Sequence, residues 1–138
     1  MTELNFKKLP YTDTTVSIHK SKANIERLLK EIGALGIQWT ESFEEPIKLL
    51  LRVKFSDYIA NFEIQLSSHP NKLQQEKQQK QVYRAYYWYF HGLVKFIRFG
   101  LVDVKDVFLP YAFIPSLNTT VREALDPSKL DGSRLLTD

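Results

Sequence analysis

The chain has 138 residues, 43% of them hydrophobic and 25% charged, which suits one domain with a real core and excludes wholesale disorder or two full-sized domains. The absence of cysteine excludes disulfides, thiolate catalysis and cysteine-ligated zinc. A net charge of +3 and a sequence pI of about 9.0 permit an anionic partner without requiring one.

In chain order, residues 1–16 read as an irregular lead-in, because Pro10 and the threonine-rich stretch 12–15 argue against a helix. Lys7 and Lys8 precede no apolar run, so no secretion signal is expected. No segment approaches the ~20 apolar residues of a membrane span. The expected location is therefore the cytoplasm of the host cell.

Ser17 is placed to cap a first helix with the apolar stripe Ile18, Ile25, Leu28, Leu29 and Ile32, and Gly33 is a natural stop. Alternation follows. Ile37, Trp39 and Phe43 suit a first strand ending at Glu44-Glu45-Pro46. Ile47, Leu49, Leu51, Val53 and Phe55 alternate with Lys48, Arg52 and Lys54 in a second. Ser56-Asp57 supplies a turn, and Ala60, Phe62, Ile64 and Leu66 form the apolar row of a third strand. The three strands are expected to form an antiparallel meander with one face on the core.

Pro70 stands at or before a helix start, and good helix formers then continue without a break, predicting one long helix over residues 71–99 stopped by Gly100. A short helix follows, with Asp103 as N-cap and Pro110 as terminator. After a loop at Pro115, Thr120-Val-Arg-Glu123 has capping-box spacing for a last short helix, stopped by Asp126-Pro127. The fold class is α+β, in the order α-β-β-β-α with helical additions. Residues 17–127 form a single domain, and residues 128–138 are a tail. Leu28, Ile32, Leu49, Leu51, Phe62, Ile64, Tyr86, Leu93 and Ile97 are expected to meet in one core, with both helices on one face of the sheet.

Function is read from residues 77–100, KQQKQVYRAYYWYFHGLVKFIRFG, which hold eight aromatic residues, five Lys or Arg and no acid. At 100° per residue, Val82, Tyr86, Tyr89, Leu93, Phe96, Ile97 and Gly100 share one side, read as the core stripe. Lys80, Arg84, Tyr87, His91, Lys95 and Arg98 gather opposite, flanked by Tyr83 and Trp88. Arg52 and Lys54 add charge from the second strand. Such a ridge suits single-stranded nucleic acid: cations follow phosphates, and rings stack on bases at roughly 1–3 kcal/mol each. The same residues equally anchor protein interfaces, so a host or phage protein is the alternative partner. The plainer reading is a solvated helix face.

Several segments resemble a small, mostly uncharacterised family of phage and prophage proteins. They are TTVSIHKSKANIERLLKEIGA, with its Lys-x-x-Ile-Glu-Arg-Leu-Leu helix, the long closing helix YRAYYWYFHGLVKFIRFGLVDVKDVFLPY with its Phe-Leu-Pro-Tyr tetrad, and TTVREAL. The resemblance covers most of residues 12–125. It implies a phage or mobile-element setting, with nucleic-acid handling or interference with host defences as the usual work of such proteins, and no catalytic signature.

Chemistry is sparse. Asp57 and Glu63-Ile-Gln65 sit where a restriction-type nuclease would hold Mg²⁺, but Gln65 replaces the required lysine and Asp57 suits a turn. His19, His69 and His91 lack metal-pair spacing. No enzyme, metal or cofactor is expected. Phe108, Leu109, Tyr111, Phe113 and Ile114 crowd one stretch, which either caps the core or forms a homodimer patch. Pro110 and Pro115 favour capping, since they fix a shape suited to wrapping.

Overall fold

The computed structural model describes residues 5–44, 47–66 and 69–126. The expectations for residues 1–4, for Glu45-Pro46, and for Pro127 with the tail lie outside them.

Over residues 5–16 the lead-in is irregular apart from a 3₁₀ turn at Phe6–Lys8. Helix α1 (Ile18–Glu31) starts where Ser17 accepts a hydrogen bond from the Lys20 N–H, satisfying one of the orphan donors of the first turn. It ends at Gly33, whose φ of +104° is a conformation side-chain-bearing residues rarely adopt. Strands β1 (Gly36–Ser42), β2 (Lys48–Lys54) and β3 (Ile59–Gln65) then form the antiparallel meander, in the order β1-β2-β3. Leu49, Leu51 and Val53 on β2 face inward with Ala60, Phe62 and Ile64 on β3. The period of two thus sets one buried row per strand. Phe43 departs from expectation: it lies beyond the end of β1 and is exposed.

Helix α2 (Lys72–Arg98) begins under Asn71, whose side chain accepts from the Leu73 and Gln74 N–H groups, and stops at Gly100, with φ +75°. α1 and α2 pack on the same face of the sheet and run alongside each other in one direction. Arg84 meets Ser21 near one end, and Arg98 meets Glu31 near the other. The core gathers Ile25, Leu28 and Leu29 of α1 and Leu51, Val53, Ala60 and Phe62 of the sheet around Phe90 and Val94. A smaller cluster joins Leu49, Ile64, Leu66 and Tyr83.

The phase of α2 corrects the wheel projection. Its buried side holds Tyr83, Phe90 and Val94, with Tyr86, Tyr87, Leu93 and Ile97 half-buried beside them, whereas Phe96 is 54% exposed and Tyr89 and Gly100 also face outward. The projection assigned one apolar side facing the sheet. In the fold α1 covers a second flank, and that flank carries Arg84 and Tyr87.

Beyond α2, α3 (Val104–Phe108) follows Asp103, which flanks it but makes no side-chain capping bond. Pro110 stands just past the end of α3, where a terminator was expected. It sits within a 3₁₀ turn at Leu109–Tyr111, near the start, where a missing N–H breaks nothing. A hairpin of β4 (Phe113–Ile114) and β5 (Thr119–Thr120) was not foreseen, because two-residue strands leave no alternation to read. Asn118 in its turn takes φ +51°, a conformation asparagine tolerates. α4 (Val121–Ala124) opens where Thr120 accepts from the Glu123 N–H, while the Glu123 carboxylate takes a hydrogen bond from the Thr119 hydroxyl.

This C-terminal module caps the core. Phe108 is fully buried against Phe55, Phe62 and Phe90. Tyr111 stacks on Phe62 at 4.2 Å, leaving Leu109 as the exposed large side chain of the expected dimer stretch. Among the described residues no helix is long and apolar enough to cross a membrane.

Candidate functional site: a groove at the β3 edge

The residues of the expected ridge do not form one surface. Arg84 is 9% exposed; its guanidinium donates to Ser21 Oγ at 3.0 Å and lies 4.2 Å over the Tyr87 ring. Desolvation lowers its pKa while Tyr87 opposes the shift, and an arginine so placed remains charged. Tyr83 is 2% exposed, its hydroxyl directed at Glu41, so it offers no stacking platform. Burial, then the Glu41 charge, pushes that phenol far above its ordinary range. Tyr87 is half-buried in the core. Lys80 pairs with Glu76 at 3.5 Å and Arg98 with Glu31 at 3.5 Å. Arg52 donates to Asn61 and lies over Phe113, on the opposite side of the sheet, and Lys54 is exposed at the end of the same strand. Trp88, His91 and Lys95 remain together near the surface, with Trp88 and His91 in ring contact.

Arg84 is therefore a packing residue. Truncation to alanine is expected to cost roughly 1–3 kcal/mol, through lost stem packing and an emptied slot between helices. Arg84→Met is expected to stay within about 1 kcal/mol of the natural chain, because a buried charge is often replaced by a similar apolar volume at little cost. Urea melts of the two variants measure both.

A concave feature lies elsewhere. A groove of about 850 Å³ runs beside β3, walled by Phe62, Tyr86, Tyr89 and Tyr111, with Phe113 and Arg122 among its other lining residues. Its position follows from the ladder. Phe55 N–H bonds to the Tyr58 carbonyl at one end of the β2–β3 pairing, and Leu66 N–H bonds to the Ile47 carbonyl at the other. The even-numbered residues of β3 therefore point their backbone groups at β2, and Asn61, Glu63 and Gln65 point theirs outward. On that outer side the C-terminal module makes a single bridge, Ala60 to Ala112. Past that bridge, no described strand pairs with β3.

Polar side chains share the groove with the rings, among them Asn61, Gln65, Asn118, Thr119 and Glu123. Burial raises the pKa of Tyr86, with Tyr111 adding to the shift and Arg122 opposing it. Burial, then Tyr111, raises that of Tyr89. Both phenols thus stay protonated and able to donate at neutral pH. Lys48 and Glu63 pair at 2.8 Å along the rim, and Arg122 is exposed with no ion pair among the described residues. Tyr111 was singled out in the sequence for its apolar crowding, and Arg122 only as a member of a capping box. Their convergence with Tyr86 depends on the hairpin, which no local signal announces.

Among the described residues no group of three His, Asp or Glu side chains converges where a metal could be held. Asp57 pairs with Lys105 at 3.0 Å, and Glu63 with Lys48, so the two acids of the nuclease comparison are each engaged by a different lysine. No family model, no curated protein and no solved structure matches this chain.

Proposed function

We propose that this protein is a non-enzymatic interaction module that takes an extended segment of another protein along the outer edge of β3. The observation that carries the reading is the stretch of β3 past Ala60 that no strand pairs on its outer side among the described residues, beside a groove partly walled by aromatic rings. An edge strand with outward N–H and C=O groups adds a strand from a partner readily, and pockets for alternate side chains supply selectivity. One row of the incoming strand would meet Phe62, Tyr86 and Tyr111, favouring apolar side chains, and an acidic group would find Arg122. The phage or mobile-element setting implied by the sequence resemblance is compatible with such an accessory or anti-defence role.

The nucleic-acid reading keeps Trp88, His91 and Lys95 but loses Arg84 and Tyr83 to the interior and shares Lys80 and Arg98 with carboxylates. Two binding assays separate the readings. Peptides selected from a random display library on the purified protein are expected to bind at about micromolar affinity, with an apolar residue at alternate positions. Fluorescein-labelled single-stranded DNA and RNA are expected to show no saturable binding in anisotropy at low salt. Tight oligonucleotide binding that weakens steeply with salt, with no enriched peptide, would reverse the assignment.

A further inference from the structure

We propose that the cleft between residues 11–16 and α2 binds a small organic anion, a carboxylate or phosphate head on a flat apolar body, with Arg84 taking the charge. The proposal is independent of the β3 groove and uses other residues of α2.

The cleft exists because the lead-in is fastened to α2. Gln81 is buried, and its side-chain NH₂ lies within hydrogen-bond reach of three carbonyls, those of Phe6 at 2.9 Å, Pro10 at 2.9 Å and Leu9 at 3.3 Å. The chain then turns through Tyr11, whose carbonyl accepts from the Thr14 N–H at 3.1 Å. Tyr11 holds φ at +66°, a left-handed conformation that is costly for a bulky residue unless its surroundings enforce it. Such positions gather at ligand clamps. Gln81, Arg84 and Trp88 follow one another at steps of three and four along α2. The fastened segment and this row of α2 flank a cleft of about 780 Å³, within the size range of small-molecule sites.

Arg84 is the observation that points to an anion. It lines the cleft and is 9% exposed, yet its hydrogen bonds go to the neutral Ser21 hydroxyl and its ring contact is with Tyr87. Among the described residues no carboxylate pairs with it. A buried cation without a counter-charge opposes folding. The packing of its stem accounts for the length of the side chain and not for its charge. A bound carboxylate or phosphate supplies the missing charge, and the guanidinium fork matches both heads.

The rest of the lining selects the body of the ligand. Val16 and Trp88 supply apolar surface, and Trp88 is 44% exposed, which leaves ring area for a flat molecule to cover. Thr12 and Thr14 are half-buried in the same wall. Thr14 Oγ1 accepts from the Val16 N–H at 3.3 Å, so its own proton remains to donate to an anionic head. Asp13 also lines the cleft and would repel an anion held close to it. Its side chain is 91% exposed and pairs with Lys77 at 3.9 Å, which keeps that charge at the solvent rim.

NMR titration of the ¹⁵N-labelled protein with naphthoate, naphthyl phosphate and the neutral isostere naphthamide tests the proposal. At least one of the two anions is expected to saturate with a Kd below about 1 mM, a modest return per ligand atom, and the tighter one names the head group. The shifts are expected at residues 11–16, at the Trp88 indole N–H and at the Arg84 Nε–H. Naphthamide is expected to bind at least about tenfold more weakly, because it brings no charge to Arg84. Arg84→Met, which removes the charge and keeps most of the volume, is expected to weaken anion binding at least about tenfold and to leave the amide unchanged. Should that variant fail to fold, the Arg84 Nε–H of the natural chain decides, since it must move with the anion and stay in place with the amide. Saturation by neither anion, equal affinity for the amide, undiminished anion binding to Arg84→Met, or shifts centred on Arg122 and β3 would overturn the proposal.

Discussion

Replacing Phe90 by alanine is expected to cost about 3–5 kcal/mol of folding stability, the largest loss for any single truncation in the chain. Phe90 is fully buried where the sheet, α2 and α3 converge. Its ring meets Phe62 edge-on at 5.5 Å and lies parallel to Phe108 at 6.4 Å, with Tyr86 and Tyr89 also in contact. Stiff aromatic neighbours collapse poorly into a void, so the cavity term should be near the upper end. A domain of this size has about 5–15 kcal/mol in total, and the variant would sit close to the folding threshold. Urea denaturation, with the midpoint falling at an unchanged m-value, checks this. A loss below about 1 kcal/mol would mean that the core does not centre on Phe90.

Glu63→Pro is expected to weaken peptide binding by at least about tenfold while leaving the fold in place. The Glu63 N–H points away from β2, so a proline there removes no bond of the β2–β3 ladder. Proline is tolerated on edge strands in that orientation, and Phe62 before it is already extended. An incoming strand would lose both a donor and its close approach to the edge. Glu63→Gln is the matched control: it breaks the ion pair with Lys48, which is exposed and worth under about 1 kcal/mol, and should leave binding within about twofold. Equal losses from both variants would place the effect in the carboxylate and not in the backbone edge.

The scaffold was legible because its signals are local and repeated. Ser17 caps the first helix, Pro70 announces the start of the long one, Gly33 and Gly100 stop them, and the alternation through β2 and β3 assigns the buried row residue by residue. The ridge misled for a reason visible in α2 itself. That helix is rich in amphipathic residues all round, so a single projection axis cannot tell a tyrosine packed in the core from one in solvent. Arg84 shows the limit most clearly. Its charge reads as surface, but Ser21 on the parallel helix is small and fully buried, leaving a slot that a long stem fills. The groove was illegible for a different reason. Tyr86, Tyr111 and Arg122 are brought together by a two-residue hairpin and a single bridge at Ala112, contacts that carry no periodicity.

The central claim is that β3 accepts a strand from a partner, and backbone NMR of the ¹⁵N-labelled protein titrated with a selected peptide tests it most directly. The predicted result is a set of shifts confined to β3, Tyr86, Tyr89 and the 111–122 segment, with the Glu63 and Gln65 amides protected from exchange and showing intermolecular contacts to the peptide backbone. Shifts centred instead on Lys80, Trp88, His91 and Lys95, with the β3 amides unchanged, would contradict it.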